Sequence, residues 1–190
     1  MRHTYASAGL FLLLVSGLAC EPIAAPAAED PGTILPRIEP GDPLPEFRLR
    51  GQAGNTVTPA TLLGTVTTLT FVVPGTAQPE SFLRRIDDVY DRLGADGLRV
   101  GRYIVVLPAA GNDSAIPARA GWQLLRGNPE AVTDLASRFG VVTWPGSDGH
   151  PVQTLGVAII GPRGLVVARF GGLETWEEMD LLVAITEARR

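Results

Sequence analysis

The sequence contains no lysine: all 16 of its basic residues are arginine. Without a side-chain primary amine, Schiff-base chemistry and a lysine general base are excluded. Cysteine is nearly as scarce, with Cys20 the single residue of its type in a chain of 190. One cysteine cannot make an intramolecular disulfide, a Cys-x-x-Cys redox pair or a cysteine-based metal site. Charge of one sign is lacking as well, since 20 acidic residues against 16 basic ones leave a net charge of only -4. The arginines are scattered, so neither a nucleic-acid groove nor a polybasic membrane patch is indicated, and nucleic acid is not an expected partner.

What is present is the composition of an ordinary globular protein, 45% hydrophobic and 19% charged, long enough for one domain and extra segments. The N-terminus begins with Arg2 and His3, continues into an apolar run through Leu10, Phe11, Leu12, Leu13, Leu14 and Val15, and ends in small residues before Cys20. That order is expected of a signal peptide, and the run is shorter than the roughly 20 apolar residues a membrane-spanning helix requires. Ser16-Gly17-Leu18-Ala19-Cys20 resembles a bacterial lipobox, which implies that Cys20 is acylated and anchors the protein at a membrane of the cell envelope. The Pro- and Ala-rich stretch that follows has neither helical nor strand periodicity and reads as an extended tether. The expected organisation is a signal peptide over 1–19, lipidated Cys20 and tether over 20–40, and a folded domain over 41–190.

Within that domain β-branched runs alternate with amphipathic stretches. Phe47-Arg48-Leu49 reads as a short strand, and Val66 to Val73 as a long one stopped by Pro74-Gly75. A helix is predicted from Gln78 to Leu93, with Phe82, Ile86, Val89, Tyr90 and Leu93 on its buried face and the charged residues from Arg84 to Arg92 on a solvated one. Tyr103 to Leu107 is a second central strand. Asn112-Asp113-Ser114 reads as a turn and cap for a short helix around Ala115 to Trp122. Asn128-Pro129-Glu130 offers an N-cap, a first-turn proline and a first-turn acid for a helix that Gly140 ends. Val157 to Ile160 and Leu165 to Phe170, around Gly161-Pro162-Arg163-Gly164, form a hairpin. A closing helix from about Thr175 is expected to turn Trp176, Met179, Leu182 and Val183 inward. This order predicts an α/β sandwich with a mixed sheet.

Gly41-Asp42-x-x-Pro45-x-Phe47-x-Leu49, followed by Thr56-Val57-Thr58 and Leu63-Gly64, is similar to the opening of thioredoxin-superfamily redoxin domains. Trp122 to Gly127, then Leu135-Ala136-x-x-Phe139-Gly140-Val141, and the insertion from Val142 to Val152 resemble the SCO/SenC family of copper-delivery proteins. The resemblance implies a thioredoxin-like α/β/α sandwich around a central mixed sheet. It also implies a Cys-x-x-x-Cys-Pro motif after the first long strand and a histidine before the hairpin, ligands suited to copper and to disulfide exchange. Here the loop reads Pro74-Gly75-Thr76-Ala77-Gln78-Pro79-Glu80-Ser81, and the histidine position falls on Gln153. Leu155 stands where thioredoxins carry their cis-proline.

Thiol peroxidase chemistry needs a thiolate, which Ser or Thr cannot replace near neutral pH. His150 lies three residues before Gln153 and reads more simply as part of an exposed turn than as a ligand. Asp113 or Asp148 with Ser81 or Ser114 and His150 lacks any Gly-x-Ser-x-Gly elbow for a hydrolase. The expected protein therefore has no catalytic residue, cofactor or metal. Its vestigial-site surface would comprise Thr76, Gln78, Glu80 and Gln153, with His150 nearby, and it would serve as a binding or assembly factor for a protein partner in the envelope. The rival expectation is copper delivery or thiol-disulfide exchange with a partner that supplies the missing ligands.

Overall fold

A computed structural model of the chain describes residues 37–74, 78–95, 100–108, 116, 119–145, 151–154, 156–171 and 176–189. Cys20, Thr76, His150 and Leu155 lie outside them, as do residues 115, 117 and 118 of the expected short helix around 115–122. The strands are β1 Leu49–Gly51, β2 Thr56–Val57, β3 Thr67–Val72, β4 Gly101–Val106, β5 Trp122–Arg126, β6 Thr143–Pro145, β7 Pro151–Gln153, β8 Gly156–Ile160 and β9 Val166–Gly171. The helices are α1 Gln78–Ala95, α2 Pro129–Arg138 and α3 Glu178–Glu187, with a 3-10 turn at Pro59–Leu62. Seven strands make one sheet in the order β2-β1-β5-β4-β3-β8-β9, and β6 and β7 form a separate ribbon. β3, β4 and β5 run parallel, whereas β8 is antiparallel to β3, so the sheet is mixed as expected.

Two apolar layers follow from the alternation of side chains along a strand. Val72, Ile104, Val106, Val157 and Ile159 pack beneath α1 and α3. Leu69, Phe71, Val73, Val105, Leu107, Ala158 and Ile160 face α2 on the other side. A strand buried on both faces reads as a run of β-branched and apolar residues with no charged ones, which is why β3 and β8 are legible in the sequence. The caps of α2 form as the sequence predicts: Asn128 accepts from the Glu130 amide at 2.9 Å, Pro129 opens the helix, and Gly140 follows it at φ 76°. No helix of the described residues is long and apolar enough to cross a membrane.

Several expectations require correction. Trp122 opens β5 rather than closing a helix, and the first strand begins at Leu49, not Phe47. Met179 and Val183 are exposed, while Leu181, Ala184 and Ile185 form the buried stripe of α3. α3 meets α1 and β9 along that stripe, which leaves the Met179 face to solvent. Ile38, assigned to the tether, is buried in the α2-side core and its amide donates to the Arg138 carbonyl at 2.9 Å. The charged face of α1 is not wholly solvated. Arg85 lies 4.3 Å above the Trp176 ring and donates to the Trp176 carbonyl at 2.9 Å. Asp87 bonds Arg119 and accepts from the Trp122 indole N–H at 2.6 Å.

Tyr90 of α1 is sealed into the core, where its hydroxyl bonds Thr68 Oγ1, Arg102 sits 4.1 Å over its ring and Trp122 meets it edge-on. Burial pushes the Tyr90 hydroxyl far above the usual tyrosine range, against smaller opposing effects of the Thr68 bond and Arg102. Burial also raises Tyr103. Because the folded values lie above the unfolded one, their stabilisation is complete below about pH 10 and is lost as pH rises beyond it. With no lysine present and arginine always charged, tyrosine dominates this window. Urea unfolding at stepped alkaline pH should show stability falling above about pH 10, and Tyr90→Phe should flatten that fall.

Candidate functional site

β3 ends at Val72, and Val73 and Pro74 carry the chain toward the N-terminus of α1. Carboxyl ends of parallel strands are where α/β sheets commonly place ligands. Gln78 opens α1, and Glu80 lies in its first turn. The β6–β7 ribbon comes to the same place from the far side of the sequence, with Thr143 opposite Gln153. Thr154 staples its base: its hydroxyl accepts from the Val142 amide at 2.8 Å and donates to the Gly140 carbonyl at 3.1 Å. The ribbon strands lie at the two ends of the segment read from the sequence as an insertion, whose residues 146–150 are outside the described ones.

Gln153 is only 4% exposed and so is no part of a contact surface, contrary to the sequence reading. Its Oε1 accepts from the Val73 amide, and its Nε2 donates to the Phe71 carbonyl at 2.9 Å. Both functions of the side-chain amide are thus spent on the backbone at the end of β3. A neutral group with one acceptor and one donor suits this work, since it satisfies peptide groups in a buried setting without introducing charge.

Glu80 is also committed. Its carboxylate pairs with Arg119 at 2.6 Å and with Arg84 at 3.6 Å. Arg119 reaches on to Asp87, so the guanidinium ties α1 to the segment entering β5. Among the described residues no group of three His, Cys, Asp or Glu side chains is placed to hold a metal. Copper needs soft thiolates or free imidazoles; an amide already bonded to β3 and a carboxylate already paired with arginine do not fit it.

Sequence reasoning did not find the apolar features beside Gln153. A cavity of about 160 Å³ lies between the end of β4 and α2, lined by Leu107, Pro108, Ala136, Val141, Val142 and Thr143 among others. Val142 and Trp144 at the ribbon are 53% and 44% exposed. Trp122 and Trp176, by contrast, are core residues. The signal available was Trp144 itself, an aromatic residue in a short run bounded by Pro145 and Gly146.

No family sequence model matches the chain, and no curated protein matches it by sequence. Solved structures do. The ScoI protein of Arabidopsis thaliana with copper bound superposes with a TM-score of 0.64 at 17% identity, over 79% of this chain and 98% of that one. BsSco, a member of the Sco family of cytochrome c oxidase assembly proteins, gives 0.63 at 18%, over 80% and 97%. A SCO1/SenC family lipoprotein from Bacillus anthracis gives 0.64 at 16%, over 80% and 98%. Sheet, helices and ribbon together therefore make this chain a thioredoxin-like α/β sandwich of the form seen in SCO/SenC structures.

Proposed function

We propose that this is an exported, lipid-anchored binding or assembly factor of a bacterial cell envelope, which uses a thioredoxin-like scaffold to hold a protein partner and does no copper or thiol chemistry of its own. The observation that carries this reading is Gln153. At the position where the resemblance places a ligand histidine, the side chain is bonded through both ends of its amide to β3. The sequence supplies no thiolate beyond Cys20, which the proposal assigns to the lipid anchor. SCO/SenC structures share this architecture, and one of them is a lipoprotein and another an assembly protein, which supports the same reading.

The partner surface is the ribbon and the adjoining cavity, where Val142 and Trp144 present apolar area beside the loop that follows β3. Exposed aromatic side chains next to an apolar recess are common anchors of protein interfaces. Two measurements test the proposal. Titration of the purified chain with Cu(I) and Cu(II) should reveal no submicromolar site, and the chain should not reduce insulin disulfides. Cross-linking from position 144 in membranes should capture one defined partner, lost in Val142→Asp. A tight copper site, disulfide reduction or absence of any partner would each overturn it.

A further inference from the structure

On the far edge of the sheet, register places arginines side by side. Arg50 of β1 stands directly opposite Arg126 of β5 on one side and Thr56 of β2 on the other. Cross-strand partners share a face, with Cβ atoms about 5 Å apart. Arg48, two residues before Arg50, joins them at a cleft of about 380 Å³ that Gly54, Thr56 and Gly127 also line. Gly54, in the turn after β1, takes φ 79° and lies beside the Arg50 guanidinium, 3.9 Å from where a Cβ would stand.

All three arginines are exposed. Arg84, Arg92, Arg119 and Arg169 are in ion pairs, whereas among the described residues no ion pair involves Arg48, Arg50 or Arg126. Carboxylates are in excess over the whole chain, with 20 acidic residues to 16 basic, yet none lines this cleft among the described residues. Like charges directly opposite one another destabilise a sheet. An anion seated between them would reverse the sign of that interaction.

We infer that the Arg48–Arg50–Arg126 cleft is a binding site for a phosphate group. A carboxylate has one negative charge and two oxygens, enough for a single guanidinium fork. A phosphate monoester or pyrophosphate offers more oxygens and a second charge, which matches two facing forks, a third guanidinium and the Thr56 hydroxyl. The group can belong to a soluble phosphate compound or to a lipid whose headgroup is a phosphate monoester, as in phosphatidic acid, and both present the same chemistry to the cleft.

The test uses the full chain in a mild nonionic detergent, titrated calorimetrically with inorganic pyrophosphate. Saturable binding is expected, weakening as salt rises and falling about tenfold or more in Arg50→Ala and in Arg126→Ala, since each removes charge-assisted hydrogen bonds. Arg163→Ala, an exposed arginine of the β8–β9 turn, should leave it unchanged. A second arm measures co-sedimentation with phosphatidylcholine vesicles with and without phosphatidic acid, whose headgroup is a phosphate monoester. Binding that depends on phosphatidic acid and falls in the same two variants assigns the phosphate to lipid. Thermal melting separates loss of binding from unfolding, because relief of the Arg50–Arg126 opposition should leave Tm at or above that of the parent. Failure of both probes, or binding equal in parent and variants, would overturn the site, as would a Glu-rich peptide that binds where both phosphate probes fail.

Discussion

Gln153→Leu should lower the free energy of unfolding by about 2–4 kcal/mol, read as a fall in the urea midpoint with an unchanged slope. The substitution removes two hydrogen bonds to β3, one from the Val73 amide and one to the Phe71 carbonyl, in a place only 4% exposed. A net hydrogen bond is worth about 1 kcal/mol, but the cost rises to about 1–3 kcal/mol where the surviving polar group stays buried. Gln153→His should fall between parent and leucine variant, because an imidazole of different reach keeps at most one of the two bonds. A midpoint unchanged in the leucine variant would show that water or neighbouring groups replace the amide, and would remove the physical reason for glutamine at this position. The result bears on function: a histidine cannot return to this site without a loss of stability.

The sandwich could be read from the sequence wherever one short-range rule governed. β3 and β8 are buried along their whole length because both faces are covered, so they read as β-branched and apolar runs, and α2 announces its start through Asn128-Pro129-Glu130. β5 escaped notice as a strand because Trp-Gln-Leu-Leu-Arg shows no clean alternation. Its Leu124 and Leu125 go to opposite core layers, a fact visible only when both helical layers are in place. α3 has apolar residues on more than one face, so contact with α1 and β9, not periodicity, decides that Leu181 and Ile185 go in while Met179 and Val183 stay out. Ile38 sits among prolines, where no pattern marks a core residue.

The site divides the same way. The missing thiolates are a matter of counting, and the vestigial loop follows from the stop at Pro74-Gly75. The burial of Gln153 depends on backbone atoms of Val73 and Phe71, at and just past the end of β3 and 80 and 82 residues away in the chain, and the pairing of Glu80 depends on Arg119. Neither is encoded in local spacing. Both change the meaning of residues that looked like a polar surface left open by the absence of metal.

Asp87→Ala should be the most disruptive change on the surface of α1, lowering stability by about 2–4 kcal/mol. Its carboxylate serves two partners at once, the Arg119 guanidinium and the Trp122 indole N–H. Arg119 is 13% exposed and Asp87 28%, so the pair is partly shielded from water. Arg119 Nε has no hydrogen-bond partner among the described residues, so the guanidinium depends on its two carboxylates there. Removing Asp87 leaves Glu80 as its one carboxylate partner among the described residues and breaks the bond that holds Trp122 at the start of β5. Arg119→Met should cost less, because Asp87 keeps Trp122 and has access to solvent, while the methionine stem preserves packing. Glu80→Ala should cost about 1 kcal/mol or less, as expected for an exposed partner. A double-mutant cycle over Asp87 and Arg119 isolates their coupling. Equal losses in all three single variants would mean that the cluster is an exposed ion network with no directional role, and that something other than Asp87 fixes the approach to β5.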